Sequence, residues 1–309
     1  MAPPCSFLRG VRRSRETGAI ATVAAQMLSS QPRVASFAYR GRRISYCEHG
    51  SGPRVVVLTH GLLMDRRMYT KLAPALAARG HRVITIDMLG HGASDQPHEM
   101  TAYSMQQFGR DVLALLDHLD VPQAVIGGTS LGANVALEVA VAAPARVRAL
   151  VLEMPVLENA LPAAAGAFVP LALALRISRR MMSLVAALTR RIPRTHFLVD
   201  VMIDFVRRDP AASLAVLDGL IFGRVAPHID DRRALPHPTL VIGHPSDPIH
   251  PFSDADRIAR ELPQARLVTA HSILEWRMRP ARLDAELAAF LDEVWRPQAV
   301  AAPTGTTGS

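Results

Sequence analysis

A serine at the apex of a glycine-rich turn is the residue best placed for chemistry in this sequence. Ser130 lies in the segment Gly-Thr-Ser-Leu-Gly, between the apolar run 123–127 and a helix-like run over 133–140. A serine on such a turn exposes its hydroxyl, and small residues two positions to either side let strand and helix approach closely. The following helix presents free N–H groups and the positive end of its dipole to developing negative charge. The pattern therefore predicts a nucleophilic serine.

The base that would activate this serine must be chosen from 12 histidines. A serine hydroxyl is a weak nucleophile at neutral pH and needs such a base. We select His271 because it follows the last predicted strand and precedes the terminal helix. His60 and His91 lie in glycine turns and are interpreted as residues that organise loops. His237 precedes its strand, and His244 and His250 share the loop of the acid, from which the serine is hard to reach, so none of them is chosen. His250 is interpreted as a loop or pocket residue.

The acid that would orient the base is expected at the carboxyl edge of the sheet. Asp247 lies just after the predicted strand 238–243. The order Ser130, Asp247, His271 is the serine, acid, histidine order of the architecture described below. Glu153, at the end of an earlier strand, is the alternative acid.

Two backbone N–H groups are expected to form an oxyanion hole. A tetrahedral intermediate requires donors aimed at its oxyanion. Leu131 follows the nucleophile directly, and Leu62 lies in the loop after the strand at 55–58. We predict their N–H groups as the two donors.

Alternating strands and helices must position these groups. A hairpin over 36–48 is followed by runs of β-branched residues without polar alternation, which indicate strands covered on both faces. The predicted fold is therefore of the α/β class, with a mostly parallel central sheet flanked by helices. We expect strands over 55–58, 82–87, 123–127, 148–153, 238–243 and 265–270, and helices over 69–79, 104–119, 133–140, 254–262 and 282–294.

A helical insertion interrupts the alternation. We expect residues 155–235 to form a cap over a core made of 36–154 and 236–296. The stretch 159–175 carries no charge, but it is short for a membrane span and contains two prolines, so we predict no transmembrane segment. The apolar cap favours an apolar acyl pocket, with three candidate lining residues: Phe168, Met181 and Met182.

The composition excludes several classes of protein. The chain has 309 residues, 49% of them hydrophobic, which is ample for a large core. Its net charge of +8 includes +4 from residues 1–35, and no basic strip with interleaved aromatics is present, so we predict no nucleic-acid partner. Two cysteines cannot form a disulfide framework, and no metal-ligand spacing or phosphate-binding glycine loop occurs. We therefore expect no metal and no cofactor.

The two ends of the chain differ from the core in composition. Residues 1–35 are expected to be a disordered or weakly helical extension, and 297–309 a disordered tail. An arginine pair at 12–13 before a mildly apolar stretch faintly resembles a twin-arginine export signal. We predict a cytoplasmic protein, with export as the alternative.

Several motifs in order resemble the α/β-hydrolase superfamily, and most closely its bacterial serine hydrolases with a helical cap. They are Thr-His-Gly at 59–61, Asp-Met-Leu-Gly-His-Gly-Ala-Ser-Asp at 87–95, the serine turn, the loop of Asp247, and Ala-His at 270–271. The resemblance covers about residues 36–296. It implies a hydrolase that uses Ser130, Asp247 and His271.

Departures within the superfamily favour an acyl-enzyme mechanism. Members that open epoxides or remove halides use an aspartate as nucleophile, whereas this chain has a serine. Members that cleave carbon–carbon bonds usually resemble Ser-Met-Gly-Gly, whereas Ser-Leu-Gly-Ala stands here. We predict hydrolysis of a small-molecule carboxylic ester or thioester. The alternatives are an acyltransferase, a carbon–carbon bond hydrolase, a cofactor-free lyase or oxygenase, and a slow-turnover ligand-binding protein.

Overall fold

An eight-stranded sheet forms the centre of the structure, a computed structural model that describes residues 31–177, 179–189, 191, 193, 203 and 207–296. The spatial order is β1-β2-β4-β3-β5-β6-β7-β8, antiparallel from β1 to β4 and parallel from β4 to β8. The strands are β1 (Arg33–Tyr39), β2 (Arg42–His49), β3 (Val55–Thr59), β4 (Arg82–Ile86), β5 (Ala124–Thr129), β6 (Val147–Glu153), β7 (Thr239–Gly243) and β8 (Ala265–Thr269).

Burial on both faces explains the apolar runs of the central strands. Every residue of β3, β5 and β7 is buried. Such strands occur where helices cover both sides of a parallel sheet. The antiparallel hairpin β1–β2 turns at Arg40 and Gly41, whose φ angles of 50° and 71° fit a tight hairpin turn of matching twist.

Helices cover both faces of the sheet and pack two separate apolar cores against it. The helices of the described residues are α1 (Leu72–Ala78), α2 (Met105–His118), α3 (Leu131–Ala142), α4 (Leu161–Ile177), α5 (Arg179–Thr189), α6 (Pro210–Ile221), α7 (Ile229–Arg233), α8 (Phe252–Glu261), α9 (Glu275–Met278) and α10 (Ala281–Val294). This alternation of buried strands and helices confirms the predicted fold class.

The insertion between β6 and β7 contains α4 to α7, and we call it the helical cap. Asn134, buried on α3, fastens the cap to the core at two points. Its Nδ2 donates to the backbone oxygens of Val156 at 2.7 Å and Val225 at 2.6 Å, and its Oδ1 accepts from Val156 N at 3.0 Å. Both ends of the cap are therefore tied to the helix that follows Ser130.

One helical segment of the described residues, Glu158–Arg176, is long and apolar enough to cross a membrane by length and composition alone, which is weak evidence for a span. It comprises most of α4. At the ends of the chain, β1 begins at Arg33, slightly before the predicted core boundary at residue 36. The extension was predicted for 1–35, but residues 33–35 belong to β1, so that boundary was too late. Residues 1–30 of the extension and the tail predicted for 297–309 lie outside the described residues.

Candidate active site

Ser130 lies at the sharp turn between β5 and α3. Its backbone adopts φ 55° and ψ −115°, a conformation that strains a residue with a side chain. Close packing imposes the turn: a Cβ added to Gly128 would lie 2.3 Å from Thr59 Oγ1, and one added to Gly132 would lie 2.1 Å from Thr59 O. The two glycines thus let strand and helix meet, and the turn presents the serine hydroxyl.

The imidazole of His250 faces this hydroxyl. Ser130 Oγ lies 2.8 Å from His250 Nε2, and His250 Nδ1 lies 3.0 Å from Asp247 Oδ2. An ionised carboxylate only accepts hydrogen bonds, so Nδ1 carries the proton and Nε2 accepts the proton of the serine hydroxyl. The structure therefore brings together serine, histidine and aspartate in the arrangement of a catalytic triad.

The loop after β7 holds Asp247 in its ionised form. Its Oδ1 accepts the N–H groups of Ile249 at 2.8 Å and His250 at 3.0 Å. Burial alone would raise the pKa of this carboxyl, but the hydrogen bonds from His250 and Ile249 lower it below the usual value. A carboxylate charged in this way can orient the imidazole and stabilise it when it becomes protonated.

The structure does not place His271 at the serine. The side chain of His271 is 76% exposed, and its Nδ1 lies 3.7 Å from Glu275 Oε1. Its backbone N–H donates to Glu275 Oε2 at 2.5 Å. His271 follows β8 as predicted, but its charged neighbour is Glu275, and the position facing Ser130 is filled by His250.

The sequence prediction missed His250 because it assumed that base and acid come from separate loops. A spacing of three residues was the available signal. In the turn Asp247-Pro-Ile-His250, the carboxylate binds both the N–H and the imidazole of the histidine. The same loop can therefore supply both groups.

Leu131 follows the nucleophile, and the loop that carries Leu62 approaches it. Leu131 is the first residue of α3, where N–H groups lack helical partners. The loop after β3 also approaches the serine, because a Cβ added to Gly61 would lie 3.8 Å from Ser130 Cβ. Leu63 N donates to His91 Nε2 at 3.3 Å and Met64 N donates to Gly61 O at 3.1 Å. Within the described residues, the N–H groups of Leu62 and Leu131 have no such partner, which supports their assignment as oxyanion donors.

His60 and His91 organise this loop, as the sequence indicated. Met88 N donates to His60 Nε2 at 3.0 Å, and the two imidazole rings lie 4.9 Å apart between centroids. Both side chains are buried, and burial lowers the pKa of each. Neutral imidazoles can accept the backbone N–H groups that fix the loop.

Glu153, the alternative acid, belongs to a separate buried cluster beneath the serine turn. Its carboxylate accepts hydrogen bonds from Thr129 Oγ1 and, at 2.7 Å, from Arg277 Nη2. Its Oε1 lies 3.3 Å from His244 Nε2. Burial opposes ionisation, but the charges of Arg277 and His244 lower the pKa of Glu153 to about 2. These partners occupy Glu153, and Asp247 takes the place beside His250.

Tyr69 connects this cluster to the loop after β3. Its hydroxyl donates to Thr59 O at 2.8 Å and lies 3.2 Å from Thr129 Oγ1. Thr129 precedes the nucleophile directly. The cluster therefore braces the ends of several strands that carry the triad and the proposed oxyanion loop.

The candidate pocket residues are only partly described. Phe168 is half-buried in the cap and packs against the apolar cluster that contains Leu175 and Leu217. Leu62, in the loop after β3, packs against the same cluster. The side chains of Met181 and Met182 lie outside the described residues. In the part of the chain that the structure describes, no group of three or more His, Cys, Asp or Glu could hold a metal ion.

Comparisons with known proteins agree with this architecture. The sequence profile of the family described as "alpha/beta hydrolase fold" matches residues 54–272. The chain belongs to this family.

Individual relatives extend the comparison. The 2-hydroxymuconate semialdehyde hydrolase of Pseudomonas sp. (strain CF600) is 31% identical over 238 residues, 71% of this chain and 75% of that protein. Bifunctional epoxide hydrolase 2 of Mus musculus is 37% identical over 110 residues, 36% of this chain, but the match spans only 20% of that protein. A hydrolase from Pseudomonas aeruginosa PA01 has a crystal structure that superposes with a TM-score of 0.67 at 26% identity, covering 84% of this chain and 98% of that one. Relatives of this kind are hydrolases of the superfamily.

Proposed function

We propose that this protein is a serine hydrolase that cleaves a carboxylic ester or thioester through an acyl-enzyme. The observation that carries the proposal is the continuous contact from Ser130 Oγ through His250 to Asp247, at 2.8 and 3.0 Å. A hydroxyl within hydrogen-bond distance of an oriented imidazole is the geometry that acyl transfer requires.

The proposed reaction begins at the serine hydroxyl. His250 Nε2 takes the hydroxyl proton while Ser130 Oγ bonds to the acyl carbon, and the carbonyl oxygen becomes an oxyanion. The N–H groups of Leu62 and Leu131 donate to that oxyanion. His250 then gives its proton to the departing alcohol or thiol, which leaves the acyl group on Ser130.

Water completes the cycle in reverse order. His250 takes a proton from a water molecule, and the resulting hydroxide bonds to the acyl carbon. Collapse of the second intermediate breaks the bond to Ser130 and returns the proton to the serine oxygen. Asp247 accepts a hydrogen bond from His250 Nδ1–H throughout and stabilises the imidazolium in each half-reaction.

A fluorophosphonate probe tests the proposed nucleophile. Such probes phosphonylate only an activated serine, so we expect a covalent adduct that peptide mass spectrometry locates at Ser130. Ser130→Ala should remain unlabelled, and Ser94→Ala, which changes a buried loop serine, should be labelled as the parent is. A parent protein without an adduct, or an adduct that survives in Ser130→Ala, would exclude the mechanism.

A second candidate function comes from one relative. The relative that covers 71% of this chain is named as a hydrolase of 2-hydroxymuconate semialdehyde, a substrate that is not an ester. Turnover of that compound beside a panel of nitrophenyl esters separates the two functions. We expect ester hydrolysis to dominate, and exclusive turnover of the semialdehyde would replace the ester proposal with the second candidate.

A further inference from the structure

Helix α4 exposes an apolar surface without charges. Leu161, Val169 and Leu173 are 44%, 48% and 53% exposed. Together with Ala165 they recur every four residues, so their side chains follow one face of the helix. Between 161 and 176, only Ala172 and Leu175 are buried. A helix on the surface of a domain normally turns charged or polar residues to water, and α4 presents none before Arg176.

Helix α5 extends this surface. Leu184 and Leu188, one turn apart, are 60% and 53% exposed. The two helices contact each other, so both rows of exposed apolar residues belong to the same part of the cap. We call this region the apolar cap face, defined by Leu161, Val169, Leu173, Leu184 and Leu188. Exposed apolar regions of this kind mark sites of interaction.

The sequence segment that contains the apolar cap face is rich in arginine. Between Glu158 and Asp200 there are six arginines and no acidic residue, and one of the six, Arg176, is paired with Asp218 at 2.6 Å. Outside this stretch and residues 1–35, the chain has 24 basic and 26 acidic residues. The positive charge of the folded domain is therefore concentrated in the segment that exposes the apolar helices. Apolar area combined with Arg or Lys is the composition that binds the interface of an anionic bilayer.

The packing of α4 favours an orientation along a surface. Ala172 and Leu175 pack against Leu214 and Leu217 of α6, which holds one side of α4 on the domain. The chain before α4 and the chain after α6 return to β6 and β7, neighbouring strands of one sheet. A span across a bilayer would separate these elements, whereas a helix lying in the interface keeps them together.

We propose that the apolar cap face docks this protein on an anionic phospholipid surface, with α4 and α5 lying in the interface. Charge argues against the other occupants. A second copy would bring together two segments of the same net positive charge, and residues 1–30 are themselves basic, with four arginines and one glutamate. This inference goes beyond the proposed hydrolysis and does not depend on it.

Sedimentation with lipid vesicles tests the proposal. The full chain should bind vesicles of phosphatidylglycerol mixed with phosphatidylcholine. It should bind vesicles of phosphatidylcholine alone at least about tenfold more weakly, since basic residues are attracted to an anionic surface. High salt should weaken binding. Ser130→Ala should bind as the parent does, which separates this result from that of the hydrolase proposal.

Charged substitutions test the face itself. The double variants Val169→Glu with Leu173→Glu, and Leu184→Glu with Leu188→Glu, should each reduce vesicle binding at least about tenfold, because they place carboxylates where the lipid would lie. Val34→Glu and Met278→Glu are the control variants. They change exposed apolar residues that lie outside the cap, 61% and 54% exposed. Both variants should bind vesicles as the parent does. Turnover of a soluble ester, or a parental circular dichroism spectrum, shows that each variant is folded.

Several results would overturn the proposal. Equal binding to both kinds of vesicle would do so, as would cap variants that bind as well as the control variants. A dimer in light scattering that dissociates in the cap variants would do so too. Release of a bound N-terminal segment, seen as new protease cleavage within residues 1–30 of the cap variants only, would also contradict it, because the face would then be covered by the chain itself.

Discussion

Asp247 and His250 lie three residues apart in the loop after β7, and this spacing lets one turn provide both the proposed acid and the proposed base. The carboxylate binds the backbone N–H groups of Ile249 and His250 through one oxygen and the imidazole through the other. The loop therefore holds the imidazole and its orienting acid as one unit. Its position relative to Ser130 depends on β7, two strands away from β5 in the sheet.

Asp247→Asn should lower kcat by about four orders of magnitude, the scale on which loss of the orienting carboxylate acts in such triads. The asparagine amide can donate to Nδ1, which stabilises the tautomer that cannot accept the serine proton. The remaining oxygen can still accept from Ile249 N, so the thermal midpoint should change little. Steady-state kinetics and a thermal melt provide both readings.

Glu153→Gln is the comparison for that variant. If Glu153→Gln eliminated turnover in a stably folded protein while Asp247→Asn retained it, Glu153 would be the acid. We expect Asp247→Asn to have the lower kcat of the two variants.

At the scale of elements, the serine turn can form only because β3 packs closely against β5 and α3. Thr59 Oγ1 lies within hydrogen-bond distance of the backbone oxygens of Gly127, at 3.0 Å, and Gly132, at 2.9 Å, and its single proton can be shared between them. This side chain fills the space next to the two glycines of the turn. The strained backbone of Ser130 persists because these neighbours leave no other path for the chain.

Gly132→Ala should therefore destabilise the protein by about 1–3 kcal/mol or more, the range for overpacking of an interior. A Cβ at this position would lie 2.1 Å from a backbone oxygen, which cannot move aside as a side chain could. Gly166→Ala in α4 is the matched control, since nothing lies within 4 Å of its added Cβ. It should be neutral or stabilise the helix by about 0.5–1 kcal/mol. Urea denaturation of both variants measures the difference, and equal stabilities would contradict the packing account.

The elements were predictable from the sequence because each central strand is a short apolar run that ends in a turn or loop. All the expected strands and helices of the core occur, and the serine turn lies between β5 and α3 as predicted. The role of His250 was not predictable by the rule that base and acid occupy different loops. That rule concerns the order of strands and loops, whereas the position of His250 depends on the local turn from Asp247 to His250. The buried partners of Glu153 were also unpredictable, because Arg277 approaches it from 124 positions along the chain.

At the scale of the whole molecule, one buried carboxyl makes stability depend on pH. Asp111 on α2 is 2% exposed, and its Oδ1 accepts from Gln107 Nε2 at 2.8 Å. Burial raises the pKa of Asp111 from 3.8 to about 7, against the weaker opposing effect of the bond from Gln107. Between these two values the folded protein holds a proton that the unfolded chain has released. Stability should therefore fall as pH rises through this window.

Asp111→Asn should remove this dependence, because the amide is neutral at every pH and can still accept from Gln107. We expect its thermal midpoint to exceed that of the parent by about a few degrees at pH 8, with the difference shrinking toward pH 4. Asp117→Asn, on the same helix with its side chain 66% exposed, is the control and should shift little at either pH. A midpoint difference for Asp111→Asn that stays constant with pH would show that ionisation is not its cause.

The central claim is that His250, rather than His271, is the base that activates Ser130. Single-turnover acylation by a nitrophenyl ester measures this step directly in His250→Ala and His271→Ala. We predict that His250→Ala lowers the acylation rate by about 10³-fold or more, since loss of the base removes the main activation of the serine. His271→Ala should acylate at close to the parental rate. Slow acylation in His271→Ala together with a parental rate in His250→Ala would contradict the account.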